Sequence, residues 1–157
     1  MAVFTATFNA VAITAAQDLF EIVASSTRRI VIHEMAIGQY TDFGDAAAEI
    51  LSVLIMRGHT TTGSGGSAVT PANVRSNSGA ESCTATVAKN NTTVATGGSP
   101  ETLRAEAWNV QAPYIHSPGA DERIELDAGE RLVFRITAPA DSITTNATVT
   151  FEEFPIP

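Results

Sequence analysis

Polar and apolar residues alternate with a two-residue period in many short segments of this chain. Residues 131–137 and 148–152 show the pattern clearly. Because successive side chains of a strand point to opposite faces, this period predicts strands with one buried face. Turn residues separate these segments at intervals of about 8–15 residues, as in β-sandwiches. The sequence therefore predicts an all-β fold, an antiparallel and jelly-roll-like sandwich of eight to ten strands.

The predicted strands differ in how far they are covered. They comprise residues 3–13, 18–24, 28–39, 49–57, 82–95, 103–110, 124–126, 131–137 and 145–154. Residues 28–39 form the apolar, β-branched run that predicts a central strand covered on both faces. Residues 42–48 favour either a turn or a single helical turn, because Asp42 can cap a helix that the following alanines support.

One long polar segment interrupts this pattern. Residues 58–81 hold almost no large apolar side chains and include the run Gly63-Ser64-Gly65-Gly66-Ser67. Loops beyond about 12–15 residues are uncommon in compact domains and are usually functional or flexible. The sequence predicts an excursion from the sandwich, either mobile or ordered by a neighbouring subunit. A nucleophilic serine loop is not predicted, because the Gly-x-Ser-x-Gly spacing is absent.

Composition limits the classes of function. The 157 residues fit one domain, spanning residues 1–157, and the net charge of −8 disfavours binding to nucleic acid. Cys83 is the single cysteine, so an intrachain disulfide is excluded and a small buried apolar role is expected. The N-terminal residues resemble a strand more than a signal peptide, and no apolar run reaches the length of a membrane helix. We expect synthesis in the cytoplasm and no membrane association.

Three histidines are the candidate metal ligands. His33 lies in an apolar strand, His59 begins the polar segment, and His116 lies in a predicted loop. No H-x-H or H-x-x-x-H spacing links any two of them. A jelly-roll enzyme of the cupin kind would require these side chains to converge in space. The spacing therefore predicts no catalytic residue, no metal and no cofactor.

Several carboxylates could form other sites. Asp42, Asp45 and Glu49, with Asp18 and Glu21, are loosely spaced like calcium ligands, but they lack the ordered ladder of an EF-hand. A solvated turn is the favoured interpretation. The adjacent pair Glu152-Glu153 is interpreted as a charged sheet edge, which discourages aggregation between sheets.

The chain also resembles known proteins. The residues that carry the resemblance are 13–22, 37–39 with 42–46, 57–58, 106–109 and 130–135. They are similar to those of small proteins encoded among the head genes of tailed bacteriophages. The resemblance implies a jelly-roll-like virion protein of the capsid decoration or cement type. Such a protein would be non-enzymatic and homotrimeric, and it would sit on the capsid surface bound to the major capsid protein.

Under this interpretation, function depends on surface buried between subunits. The candidate contact segments are the N-terminal strand, the polar segment and the C-terminal residues. Their candidate residues are Phe4, Phe8, Arg75, Phe154 and Ile156. The C-terminal prolines should stop strand pairing, so the tail either packs on its own domain or docks on a partner.

The alternative function is recognition of a carbohydrate or receptor by a head fibre or tail. This alternative predicts that Trp108 or Tyr114 lies exposed in a groove, where an aromatic ring can stack on a sugar. For Trp108 itself, a place in the core is the favoured interpretation, because its neighbours in the strand are apolar. A sandwich fold alone does not choose between these functions.

Overall fold

The protein is almost entirely β-structure. The computed structural model describes residues 2–40, 49–75 and 81–156, and the helical turn predicted for residues 42–48 lies outside them. Strands account for 61% of the chain and helix for 2%, which confirms the all-β class. Within the described ranges, no helix has the length and apolar character needed to span a membrane.

Twelve strands and one short 3₁₀ turn make up the described structure. They are β1 (Ala2–Ile13), β2 (Gln17–Val23), β3 (Arg28–Gln39), β4 (Ile50–Arg57), β5 (Ser67–Val69), β6 (Ala72–Asn73), β7 (Thr86–Asn91), β8 (Glu101–Asn109), β9 (Tyr114–His116), the turn (Ala120–Glu122), β10 (Glu125–Leu126), β11 (Arg131–Ile136) and β12 (Ile143–Pro155).

The strands form two antiparallel sheets. The first sheet has the order β10-β3-β12-β1-β6, with β9 also paired to β3. The second sheet has the order β5-β7-β2-β11-β4-β8. Eight of these strands follow the order of a jelly roll, with β1-β12-β3-β9 in one sheet and β2-β11-β4-β8 in the other. The predicted sandwich is therefore confirmed.

The core lies between the two sheets and is built from their inward side chains. Aromatic rings join strands within and between the sheets: Phe4 and Phe151 have centroids 6.0 Å apart, and Phe8 and Phe20 have centroids 5.4 Å apart. All four rings are buried. Because Phe8 belongs to β1 and Phe20 to β2, the second pair connects the two sheets. Burial of such rings is the main stabilising contribution to the fold.

Three strand predictions need correction. Strand β3 is buried on one face only, and the strand buried on both faces is β2. Strand β7 spans only Thr86–Asn91 of the predicted residues 82–95. Residues 114–116 form β9 rather than a loop. The polar Tyr114 and His116 concealed this strand from pattern analysis, because both face inward while Ile115 faces out.

The predicted excursion at residues 58–75 is instead packed on its own domain. This segment is largely irregular, as expected, but β5 pairs with β7 and β6 pairs with β1. Isolated bridges join Thr61 to Thr96 and Ser64 to Thr93. The prediction of a mobile or neighbour-ordered excursion is therefore wrong for these residues. We call residues 58–66 together with 92–96 the cap.

The C-terminal strand also differs from expectation. Strand β12 lies between β1 and β3 in the middle of the first sheet, so Glu152-Glu153 is not a sheet edge. Pairing continues to Pro155, which lies opposite Arg28, and Ile156 N–H donates to the Thr27 carbonyl at 3.2 Å. The tail thus packs on its own domain. The prolines do not prevent this, because Pro155 occupies the last paired position of β12 and Pro157 comes after the strand in the sequence.

Candidate interaction surface

The outward side of the first sheet carries a group of uncharged side chains of moderate size. We define the open face by the outward residues Val3, Thr5, Thr7, Val31, Thr148, Thr150 and Phe154. All are half-buried or exposed, so no described element covers them. Thr5 lies opposite Thr150 and Thr7 opposite Thr148 in the β1–β12 pairing. Threonine and valine favour strands, and their alternation with buried residues creates a flat surface.

Few charges interrupt the open face. The carboxylate of Glu152 lies 3.2 Å from Nε2 of His33, on the neighbouring strand. Both side chains are mostly buried by their surroundings, with 12% and 23% of their area exposed. Glu34 lies opposite Thr150, and Glu125 lies opposite Val31. Glu125 pairs with Arg29, which lies opposite Phe154, at 3.1 Å.

The outward face of the second sheet is different, because the cap covers its strands β2 and β11, while the outward residues of β4 and β8 stay half-buried or exposed. Asp18 is fully buried and pairs with Arg135, its Oδ1 lying 2.6 Å from Nε. Glu21 is also buried, and its Oε1 lies 2.8 Å from Nε of Arg131. The two ion pairs bridge β2 and β11 beneath the cap. Buried charges are tolerated only when they are paired and hydrogen-bonded. Asp18 and Arg135 are hydrogen-bonded to each other, whereas Glu21 and Arg131 form their hydrogen bonds through their other side-chain atoms.

The cap is held by hydrogen bonds to these same ion pairs. Gly63 N–H donates to Oε2 of Glu21 at 2.9 Å, and Ala95 N–H donates to Oδ2 of Asp18 at 2.6 Å. From the other strand, Arg131 donates to the His59 carbonyl at 3.0 Å, and Arg135 donates to the Ala95 carbonyl at 2.9 Å. Charged side chains thus satisfy part of the cap backbone, and backbone hydrogen bonds between residues 60–64 and 93–96 satisfy another part.

The five predicted contact residues divide into two groups. Phe4 and Phe8 are buried in the core, with 1% and 4% of their area exposed, so their prediction as contact residues is wrong. Alternation along β1 directs these rings inward. Arg75 is exposed, Phe154 is half-buried, and Ile156 is 39% exposed. These three lie at the end of the first sheet where β1 begins and β12 ends.

The aromatic residues expected in a sugar-binding groove are buried. Trp108 is 2% exposed, and its Nε1–H donates to the Ala112 carbonyl at 2.6 Å. Tyr114 is 8% exposed; burial and then the negative charge of Glu106 raise its pKa to about 12. The prediction of an exposed ring at either position is therefore wrong, while the core placement of Trp108 is confirmed.

The three histidines lie in separate parts of the structure. His33 is on the outward side of the first sheet, His59 lies in the cap, and His116 faces inward from β9. Within residues 2–40, 49–75 and 81–156, no three His, Cys, Asp or Glu side chains are placed to hold a metal ion. The convergence that a cupin-like site requires is absent from this described part. Burial lowers the pKa of His59 and of His116, with Arg135 and Arg104 as the next causes.

The loosely spaced carboxylates do not assemble either. Asp18 and Glu21 are ion-paired beneath the cap. Glu49 instead accepts a hydrogen bond from the backbone N–H of Ala140. Asp42 and Asp45 lie outside the described residues.

Glu153 and Cys83 meet at one end of the sandwich. Glu153 is 1% exposed and accepts the backbone N–H groups of Thr84 and Ala85, at 3.1 and 2.7 Å. The Cys83 Sγ lies 3.4 Å from the same carboxylate. Burial and then this negative charge raise the pKa of the thiol to about 12. Cys83 therefore packs partly against the core, as its sequence context suggested, with no activation of the thiol.

Sequence reasoning missed the open face, although a signal for it exists. The triplets at residues 5–7 and 148–150 both read threonine, small apolar residue, threonine, which places two hydroxyls on one side of each strand. The strand register that places these triplets opposite each other cannot be read from the sequence. The anchoring of the cap by Asp18 and Glu21 has no sequence signal of its own, because the partners lie far away in the chain.

Comparison with known proteins does not assign this chain to a family. No protein-family model matches the chain, and no curated protein matches it. A chain of the T13 IBDV viral particle is 12% identical over 99% of this chain and 40% of that chain, with a TM-score of 0.15. A chain from infectious bursal disease virus, Gt strain, is 18% identical over 99% and 38%, with a TM-score of 0.12. The chain thus spans about 40% of the matched chains, and TM-scores this low support no argument.

Proposed function

We propose that this chain is a non-enzymatic structural protein of a virion, which binds and stabilises the capsid surface as a decoration or cement protein. Its partners are the major capsid protein and other copies of itself. It is made in the host cytoplasm and acts on the assembled particle. The observation that carries the proposal is the asymmetry of the sandwich: the cap covers β2 and β11 on the outward side of the second sheet, whereas no described element of the chain lies over the open face.

The open face has the properties of an interface between proteins. Charged residues are depleted from the centres of such interfaces, and stable contacts bury about 1,200–2,000 Å² in total. Here two facing pairs of threonines and two valines form the surface; Glu152 beside them lies 3.2 Å from Nε2 of His33, and Glu125 pairs with Arg29. A flat surface of this kind can pack against a capsid subunit while these two carboxylates keep their partners.

The end of the first sheet extends this surface. Val74 N–H donates to the Val3 carbonyl at 2.9 Å, which places β6 beside the start of β1. Val74 is 55% exposed, and Arg75 follows it. Phe154 and Ile156 supply apolar area from the neighbouring strand. Arginine is enriched in interfaces, so Arg75 would contribute a charged rim to this contact.

The jelly-roll order is compatible with this function and does not define it. Sandwiches host many unrelated activities, so the argument depends on the surface rather than on the fold. The resemblance of the sequence to head proteins of tailed bacteriophages supports the same assignment. The alternative of a glycan-binding module predicts an accessible ring at Trp108 or Tyr114, and both are buried.

The test is co-sedimentation of purified protein with capsids assembled from the major capsid protein of the same virus. Wild-type protein should pellet with capsids, and Thr148→Arg should abolish this by placing a bulky charge in the open face. Thr70→Arg is the matched control, because Thr70 is exposed and lies outside that face. Equal pelleting of both variants would show that the open face is not the contact, and absence of wild-type binding would overturn the proposed function.

A further inference from the structure

Strand β8 is a long sheet edge whose outer side is unpaired in the described structure. It spans nine residues at the end of the second sheet and pairs only with β4. Four other edge strands are short, with three residues in β5 and β9 and two in β6 and β10. Strand β1 is also unpaired on its outer side beyond Thr5, but a register irregularity between Phe8 and Val11 interrupts that edge. Short edges protect a protein against unwanted pairing, whereas a long edge is a template for another strand.

The backbone groups that face outward from this edge can be assigned. Val110 N–H donates to the Glu49 carbonyl at 3.1 Å, which fixes the alternation of hydrogen-bonded pairs along β4 and β8. In this alternation Arg104, Glu106 and Trp108 bond to β4. The N–H and C=O groups of Ala105 and Ala107 therefore point away from the sheet. Both alanines are exposed, and their small side chains leave room for a second strand.

The charges of β8 select one partner and one register. When two copies of β8 run antiparallel with Ala105 opposite Ala105, Arg104 of each copy faces Glu106 of the other. Shifting the two-fold axis by one residue in either direction sets Arg104 against Arg104 or Glu106 against Glu106. Opposite charges directly across a strand pair stabilise it, and like charges destabilise it.

We propose that two copies of this chain associate through β8, with Ala105 on the two-fold axis and reciprocal Arg104–Glu106 ion pairs. The contact joins two six-stranded sheets into one continuous sheet of twelve strands. It removes the long edge without any change of fold. The inference deepens the homo-oligomer of the proposed function by naming its surface and its symmetry. A two-fold contact gives a dimer, in place of the trimer expected from the resemblance.

The experiment is sedimentation equilibrium of the purified chain from low to high micromolar concentration. Wild type should be a dimer. Arg104→Glu and Glu106→Arg should each weaken dimerisation by about tenfold or more, because each creates two like-charge pairs. The double variant Arg104→Glu/Glu106→Arg restores opposite charges and should dimerise like wild type. Retained far-ultraviolet circular dichroism serves as the control for folding.

A second variant tests the backbone pairing separately from charge. Ala105→Pro removes an N–H that faces outward, and proline is tolerated at such edge positions. It should give a folded monomer. A wild-type monomer, a trimer, or a dimer unaffected by both the charge reversals and Ala105→Pro would overturn the proposal. Because no capsid is present in this assay, its failure is distinguishable from failure of capsid binding.

Discussion

The carboxylate of Asp18 lies 2.6 Å from Nε of Arg135, although the two residues are 117 positions apart in the chain. Asp18 is fully buried, and its other oxygen accepts the backbone N–H of Ala95 at 2.6 Å. One carboxylate thus connects β2, β11 and the cap. This connection keeps the outward side of β2 and β11 covered by the cap, in contrast to the open face of the first sheet.

Replacing Asp18 by Asn should destabilise the protein by about 3–5 kcal/mol, because the Arg135 guanidinium loses its buried counter-charge. The measurement is urea unfolding followed by Trp108 fluorescence. Arg57→Gln is the matched control: Arg57 pairs with Glu101 at 3.2 Å on the surface, where an ion pair contributes about 0–1 kcal/mol. Equal losses for the two variants would contradict a structural role for the buried pair.

The close approach of the cap to β7 makes a second prediction. A Cβ atom added at Gly63 would lie 2.6 Å from the Thr93 carbonyl oxygen and 2.9 Å from Nδ2 of Asn91. Gly63→Ala should therefore displace the cap and cost about 1–3 kcal/mol, as overpacking does. Limited proteolysis should then cleave residues 58–66 faster than in wild type. Gly119→Ala is the control, because nothing lies within 4 Å of its added Cβ, and its cleavage rate should be unchanged.

Much of the fold follows from local patterns in the sequence. Strand β3 was predicted with its observed bounds, and β1, β4, β8, β11 and β12 to within two residues, because apolar periodicity is strong in them. Strand β9 escaped prediction because its inward side chains, Tyr114 and His116, are polar. The irregular cap could not be predicted, since its hydrogen bonds go to Asp18 and Glu21, which are far away in sequence.

The surface was predictable only in part. Arg75 and Ile156 are exposed and stay predicted contact residues, whereas the apolar character of Phe4 and Phe8 serves the core. Pattern analysis cannot distinguish an apolar residue that packs inside from one that binds a partner. The register of β1 against β12, which assembles the open face, depends on the whole sheet.

The thiol of Cys83 should react slowly. Burial, followed by the negative charge of Glu153, raises its pKa to about 12, and the thiolate is the reactive form. At pH 8 the folded protein should therefore react far more slowly with a disulfide reagent than the same protein in guanidinium chloride. Glu153→Gln should accelerate the reaction by removing the nearby charge. Rapid reaction of folded wild type would contradict the burial of this thiol.

Stability should fall when the pH decreases below about 6.5, the usual pKa of histidine. Burial lowers the pKa of His59 and His116 in the folded protein; Arg135 and Arg131 add to this at His59, and Arg104 does so at His116. The unfolded chain therefore binds protons at a higher pH than the folded one does. The contribution of the neutral histidines to the free energy of unfolding is fully present above pH 6.5. This contribution is lost as the pH falls through the lowered pKa values of the folded protein.

The double variant His59→Gln/His116→Gln isolates this effect. Its urea midpoint should change less between pH 8 and pH 5.5 than the midpoint of wild type, because glutamine binds no proton in this range. The substitutions can lower the urea midpoint at pH 8, but this loss does not affect the comparison. The quantity compared between the two proteins is the change of the urea midpoint with pH, not the midpoint at one pH. If the slopes of the two proteins are equal, the two histidines are not the source of the acid sensitivity, and the carboxylates beneath the cap become the groups to replace.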